Sequence, residues 1–193
     1  MRIAFAAALL LSIVACSRPA PQTTAQATTS SADCAKTATH QVTFSSTTAP
    51  DTVTARAEGP TCAQAFVTLT IRAANGDPLW TFADAYAVMQ GGGAPPSQMP
   101  PEIAAKMDEF LTSWADVTVK TTRDLPEWRA GAATLTDSVQ GMSYSTPFDR
   151  ESYEHLRAQN LPDLCFAAGS ESSQCIIMDP ASHQASLMVT FGA

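Results

Sequence analysis

The sequence predicts an α+β domain: mainly antiparallel sheet, one or two packed helices and two disulfides. Three observations lead there. Period-two alternation of apolar and polar residues recurs in several short runs, the mark of half-buried strands. One such run folds back at Asn75-Gly76, the leading two-residue hairpin turn, because both positions tolerate positive φ. Two other stretches switch to helical spacing and carry helix-start residues at their amino ends.

Taken in order, residues 40–45 (His-Gln-Val-Thr-Phe-Ser) alternate as a strand, and so do residues 51–58. Ala49-Pro50-Asp51 suits the turn between them and Gly59-Pro60 closes the second. Residues 66–72 are a β-branched alternating strand leading into Asn75-Gly76. That turn sets Ile71 opposite Trp80, Leu69 opposite Phe82 and Ala65 opposite Tyr86, so the apolar pairs share one face. Pro78 is expected opposite Ala73, at a site where its missing N–H is harmless. Asp84 falls on the same face as the aromatics, opposite Val67. It is a candidate binding carboxylate unless the face reaches solvent there or Arg56 or Arg72 pairs with it.

Gly91-Gly92-Gly93 leads into a helix expected over 101–114, with Pro101 and Glu102 suiting its first turn. Ile103, Met107, Phe110, Leu111 and Trp114 form one apolar stripe to lay on the sheet. Residues 117–120 read as a strand, and either 134–136 or 139–144 as another. Between them lies an ordered loop in which Trp128 is flanked by Glu127 and Arg129; these three are candidate binding residues, or a Trp tucked over the core edge. Thr146-Pro147-Phe148-Asp149 reads as a helix start with Thr146 as cap, and Asn160 and Pro162 end that helix. Residues 164–167 and 175–178 are strands about Gly169-Ser170-Glu171, and Ala185, Leu187, Val189 and Phe191 form a last alternating strand.

The amino end reads differently. Arg2 is followed by an apolar run over 3–14, too short at about a dozen residues for a bilayer core that needs ~20. It has the form of a secretory signal, expected to occupy residues 1–15. Its ending, Ile13-Val14-Ala15-Cys16, resembles the lipobox of bacterial lipoproteins. The resemblance covers the first sixteen residues only. It implies cleavage before Cys16, lipidation of the Cys16 thiol and acylation of the new amine. Ser17 is not the Asp that retains lipoproteins in the inner membrane, which implies the outer membrane of a Gram-negative bacterium, with the domain facing the periplasm. Residues 16–38 would then be a lipidated flexible tether, rich in Thr, Ser, Ala, Pro and Gln, and 39–193 a single globular domain.

Export makes the cysteines informative. With Cys16 taken by lipid, Cys34, Cys62, Cys165 and Cys175 remain, an even number in an oxidising compartment. Three pairings exist. Cys34–Cys62 and Cys165–Cys175 each bracket a short local segment, and the first staples the start of one strand to the end of its neighbour.

The formal charge is −7, and loss of Arg2 with the signal makes it −8, 10 Lys and Arg against 18 Asp and Glu. This argues against binding nucleic acid by charge, which needs a basic footprint. No motif for chemistry stands out. Gly141-Met142-Ser143-Tyr144-Ser145 lacks the final Gly of a nucleophile elbow. His40, His155 and His183 are scattered and no Cys-x-x-Cys occurs, so neither a metal nor a cofactor is expected. The reading is a non-catalytic, lipid-anchored envelope protein that binds a protein or cell-wall component. Alternatives are an inhibitor of a cationic lysozyme-like enzyme, an accessory subunit of an outer-membrane assembly, and a hydrolase with a site around Asp84, Trp128 or Ser143.

Overall fold

The computed structural model describes residues 34–91, 95–135 and 142–192. The expected signal, the lipobox-like stretch and most of the expected tether lie outside them, as do residues 92–94, 136–141 and 193. None of the described helices is long and apolar enough to cross a membrane.

The chain builds two antiparallel sheets with helices against them. The first holds β1 (Cys34–Val42), β2 (Asp51–Gly59), β3 (Phe66–Arg72) and β4 (Pro78–Ala85) in sequence order. Three short helices follow: α1 (Tyr86–Gly91), α2 (Pro101–Ala105) and α3 (Met107–Ala115). The second sheet is assembled from β5 (Thr118–Thr121), β6 (Ser143–Ser145), β7 (Pro162–Ala167), β8 (Ser172–Asp179) and β9 (Gln184–Gly192). Its strand order is β5-β7-β8-β9-β6, and α4 (Arg150–Ala158) precedes β7. Both disulfides have the expected partners, Cys34–Cys62 and Cys165–Cys175.

The first sheet shows why alternation was legible. Val53, Ala55 and Ala57 of β2 and Val67, Leu69 and Ile71 of β3 are fully buried on one face, which α3 covers. On the other face Thr39, Thr54, Thr70 and Thr81 line up as one row across all four strands. Threonine suits that face because its branched Cβ fits the pleat while its hydroxyl meets water. Phe66 also stands on this outer face and is 66% exposed.

Several elements depart from the sequence reading. The first strand begins at Cys34, six residues before His40, so the sheet takes up residues assigned to the tether. The disulfide to Cys62 pins Cys34 opposite Gly59, and ladder pairing does the rest. Leu69 pairs with Phe82 and Ile71 with Trp80 as expected, but the turn holds three residues, Ala74-Asn75-Gly76, instead of two: the Ala73 N–H donates to the Asp77 carbonyl at 2.9 Å, and Gly76 takes positive φ while Asn75 does not. Pro78 therefore pairs with Arg72, and the register shifts between Ile71 and Arg72. Tyr86 opens α1 instead of extending β4. Its N–H still reaches the Ala65 carbonyl at 2.9 Å, so the two residues remain neighbours.

The helix expected over 101–114 is two helices, broken at Lys106. The Ile103 carbonyl accepts from the Tyr86 hydroxyl at 3.0 Å and from the Lys106 N–H at 3.0 Å, which turns the chain early. α4 is capped by Asp149, whose side chain accepts from the Ser152 N–H at 2.8 Å. Thr146 instead donates to the Met188 carbonyl at 2.7 Å, tying the approach to α4 onto β9. Of the two alternatives for the strand before α4, the structure shows Ser143–Ser145; part of both falls outside the described residues.

Candidate functional site

An aromatic layer lies between α3 and the two sheets. Phe82 of β4 meets Trp114 of α3 edge-on, ring centres 6.1 Å apart, and Phe166 of β7 at 5.5 Å. Phe110 stacks on Trp114 at 5.3 Å and contacts Tyr86 at 5.0 Å. The Trp114 indole N–H donates to the Ala167 carbonyl at 2.9 Å, fastening the end of α3 to β7. Such rings bury large areas, and a buried indole N–H needs a partner, which Ala167 supplies.

Beside this layer a groove of about 460 Å³ opens. Trp114, Phe110, Phe166 and Phe191 give it aromatic walls; Gln90, Ser113, Asp116 and Lys120 line it with polar groups of both signs. A second cleft of about 470 Å³ surrounds the β7–β8 turn, lined by Ser143, Ser145, Glu171 and Thr190, and Phe191 borders both. Phe191 is held by stacking on Tyr144, ring centres 5.1 Å apart. Cys165 also lines the first groove.

Asp163 lies two residues before Cys165 on β7 and is 1% exposed. Its Oδ2 is 3.4 Å from Cys165 Sγ, and Oδ1 has no hydrogen-bond partner among the described residues. Burial raises its pKa to about 7, with Asp124 pushing further up and Lys120 pulling down. Among the described residues the other buried carboxylate is Asp51, which holds the β1–β2 connection together, accepting from the N–H groups of Phe44 and Ser45 and from the Ser45 hydroxyl.

The candidate binding residues named from the sequence do not line these clefts. Asp84 is half-buried opposite Val67, and its carboxylate accepts from the Ala85 N–H at 2.7 Å. Neither Arg56 nor Arg72 is its partner: Arg56 pairs with Glu58 and Arg72 donates to the Gly76 carbonyl. Trp128 packs over the buried cluster of Leu125, Tyr153, Leu156, Ile177 and Met188, edge-on to Tyr153, and donates its indole N–H to the Ala132 carbonyl at 3.0 Å. Its backbone N–H donates to Glu154 and its carbonyl accepts from Arg150. Glu127 stays exposed and meets Arg157 at 3.3 Å, while Arg129 is exposed. Trp128 is therefore a lid on the core edge. Sequence reasoning missed the groove, whose walls come from four separate segments. It also missed Asp163, although a lone acid two residues before a cysteine in an apolar strand was a signal for it.

No family model matches this chain, and neither the curated proteins nor the solved structures contain a match to it. The residues and their geometry carry the functional argument alone.

Proposed function

We propose that the chain is a non-catalytic envelope protein, anchored by lipid at Cys16 in the outer membrane, that binds a protein or cell-wall component. The lipobox sequence supports the anchor. The groove beside Trp114 and Phe191 supports the binding role, and it is the observation that carries the reading. Its aromatic walls offer apolar contact area, and Asp116, Lys120, Gln90 and Ser113 offer charges and hydrogen bonds at its edge. That combination suits a polar polymer segment, a peptide or a glycan strand, better than a small enclosed ligand.

Photo-crosslinking in cells tests it. A photoreactive residue placed at the exposed Ser113 should trap one discrete partner or wall fragments, and the same residue at Thr52 on the far side of the first sheet should not. Equal, diffuse labelling from both positions would remove the binding reading. Mass spectrometry of the intact protein tests the anchor separately: the mature chain should start at an acylated Cys16.

The charge of −7 favours a second reading, inhibition of a cationic lysozyme-like enzyme. Full lysozyme activity in the presence of a large molar excess of the protein would eliminate it.

A further inference from the structure

We propose that Cys165–Cys175 is an exchangeable disulfide, reduced by a dithiol donor that enters through the groove, and that Asp163 hands a proton to the departing sulfur of Cys175. Three features converge on this bond. Cys165 is half-buried and lines the groove, whereas Cys175 is fully buried, so an incoming thiolate is directed to Cys165. Lys120 lines the same groove and offers a positive charge to that thiolate. A carboxyl oxygen of Asp163 and the two sulfurs all lie within 4.8 Å of one another.

Asp163 does not fasten the fold in the way Asp51 does. A buried carboxyl normally finds hydrogen-bond donors. Asp163 has one oxygen without a partner and the other against a sulfur that carries no hydrogen. The only hydrogen available to that contact is the carboxyl's own, so the protonated acid is the form that fits. Burial favours that form up to about pH 7. The ionisable groups around it are Lys120 on β5, Asp124 in the turn that follows β5, and Tyr153 on α4. Lys120 stabilises the carboxylate that remains once the proton has left.

The exchange balances. A thiolate of the donor attacks Cys165 Sγ; a donor–Cys165 disulfide forms, the Cys165–Cys175 bond breaks, and Cys175 leaves with the electron pair and takes the Asp163 proton. The donor's second thiol gives its proton back to Asp163 and attacks the donor sulfur of the mixed disulfide. Cys165 is released as a thiolate and takes a proton from water in the groove. Two electrons pass from the dithiol to the protein, and the donor departs as a disulfide. The Cys34–Cys62 bridge has no such carboxyl among the described residues and serves as an internal control.

The full chain in detergent micelles should be exposed to dithiothreitol under native conditions from pH 5.5 to 8.5, then alkylated and digested for mass spectrometry. Cys165–Cys175 should open at least about ten-fold faster than Cys34–Cys62, with the circular dichroism unchanged. The rate, divided by the thiolate fraction of the reagent, should fall as pH rises through about 7. Asp163→Asn should be about ten-fold slower at pH 6 and lack that fall. Equal opening of both bridges, or a wild-type rate that follows reagent thiolate alone, would overturn the proposal. The wild-type profile decides the matter even if the Asn variant does not fold.

Discussion

Trp114 on α3 donates its indole N–H to the carbonyl of Ala167 on β7 at 2.9 Å, across 53 residues of sequence. This one bond links the helix that covers the first sheet to the second sheet. It also places the Trp114 ring where it forms both core and groove wall. Replacing Trp114 with Phe keeps an aromatic ring but removes the donor. The Ala167 carbonyl then loses its partner and part of the buried area is lost. We expect a stability loss of about 2–3 kcal/mol, read as a lower urea midpoint with an unchanged slope. An unchanged midpoint would show that α3 is held by packing alone.

Asp51 closes the β1–β2 connection. It is fully buried and receives two backbone N–H groups and one hydroxyl. Asp51→Ala orphans all three donors at once, and the N–H of the buried Phe44 cannot turn to solvent without moving its ring. The expected cost is about 3 kcal/mol, with amide exchange of Phe44 and Ser45 accelerated while the centre of β3 stays protected. Uniform acceleration across the sheet would mean the turn is not a local unit.

The contrast between elements shows what the sequence could and could not reveal. The β3–β4 hairpin was readable because the turn glycine, Gly76, and the pairs Leu69–Phe82 and Ile71–Trp80 are local. Its error, Pro78 opposite Arg72 instead of Ala73, comes from a turn of three residues, Ala74-Asn75-Gly76, in which Gly76 alone takes positive φ; the register shift between Ile71 and Arg72 then restores the expected pairs. The break at Lys106 was hidden because its cause, the Tyr86 hydroxyl on the Ile103 carbonyl, lies 17 residues away. Thr146 and Asp149 are both good caps, and the choice between them was made by Met188, which draws the Thr146 hydroxyl to β9. The groove shares that property: Gln90, Trp114, Phe166 and Phe191 come together only through the tertiary fold.

The two disulfides should differ in what they contribute. Cys34–Cys62 closes a separation of 28 residues and Cys165–Cys175 one of 10. Chain-entropy estimates give about 3.6 kcal/mol for the longer loop and about 2.7 kcal/mol for the shorter. Paired Cys→Ala substitutions should therefore cost roughly 1 kcal/mol more at Cys34 and Cys62 than at Cys165 and Cys175, measured by urea unfolding. The reverse order would show that the bridge beside Asp163 does more in the folded state than shorten the unfolded chain.

Asp163 also makes stability depend on pH, with a sign opposite to that of most acids. Its folded pKa is raised from 3.8 to about 7 by burial. Below about pH 4 it is protonated in both states and contributes no pH dependence. Between about 4 and 7 the folded chain holds the proton and the unfolded chain does not, so stability falls as pH rises. Above about 7 it is ionised in both, and the full penalty for a buried charge applies, a few kcal/mol at most. Asp149 and Asp179 act in the other sense: hydrogen bonds lower their pKa values, so the stability they contribute is lost as pH falls below about 4. Urea midpoints at pH 4.5, 5.5, 6.5 and 7.5 separate the two effects. The wild type should lose stability across this series, and Asp163→Asn should stay nearly flat, becoming the more stable of the two at pH 7.5. Parallel curves for the two proteins would mean that the Asp163 carboxyl is solvated, and it could then not serve as the proton donor beside Cys165.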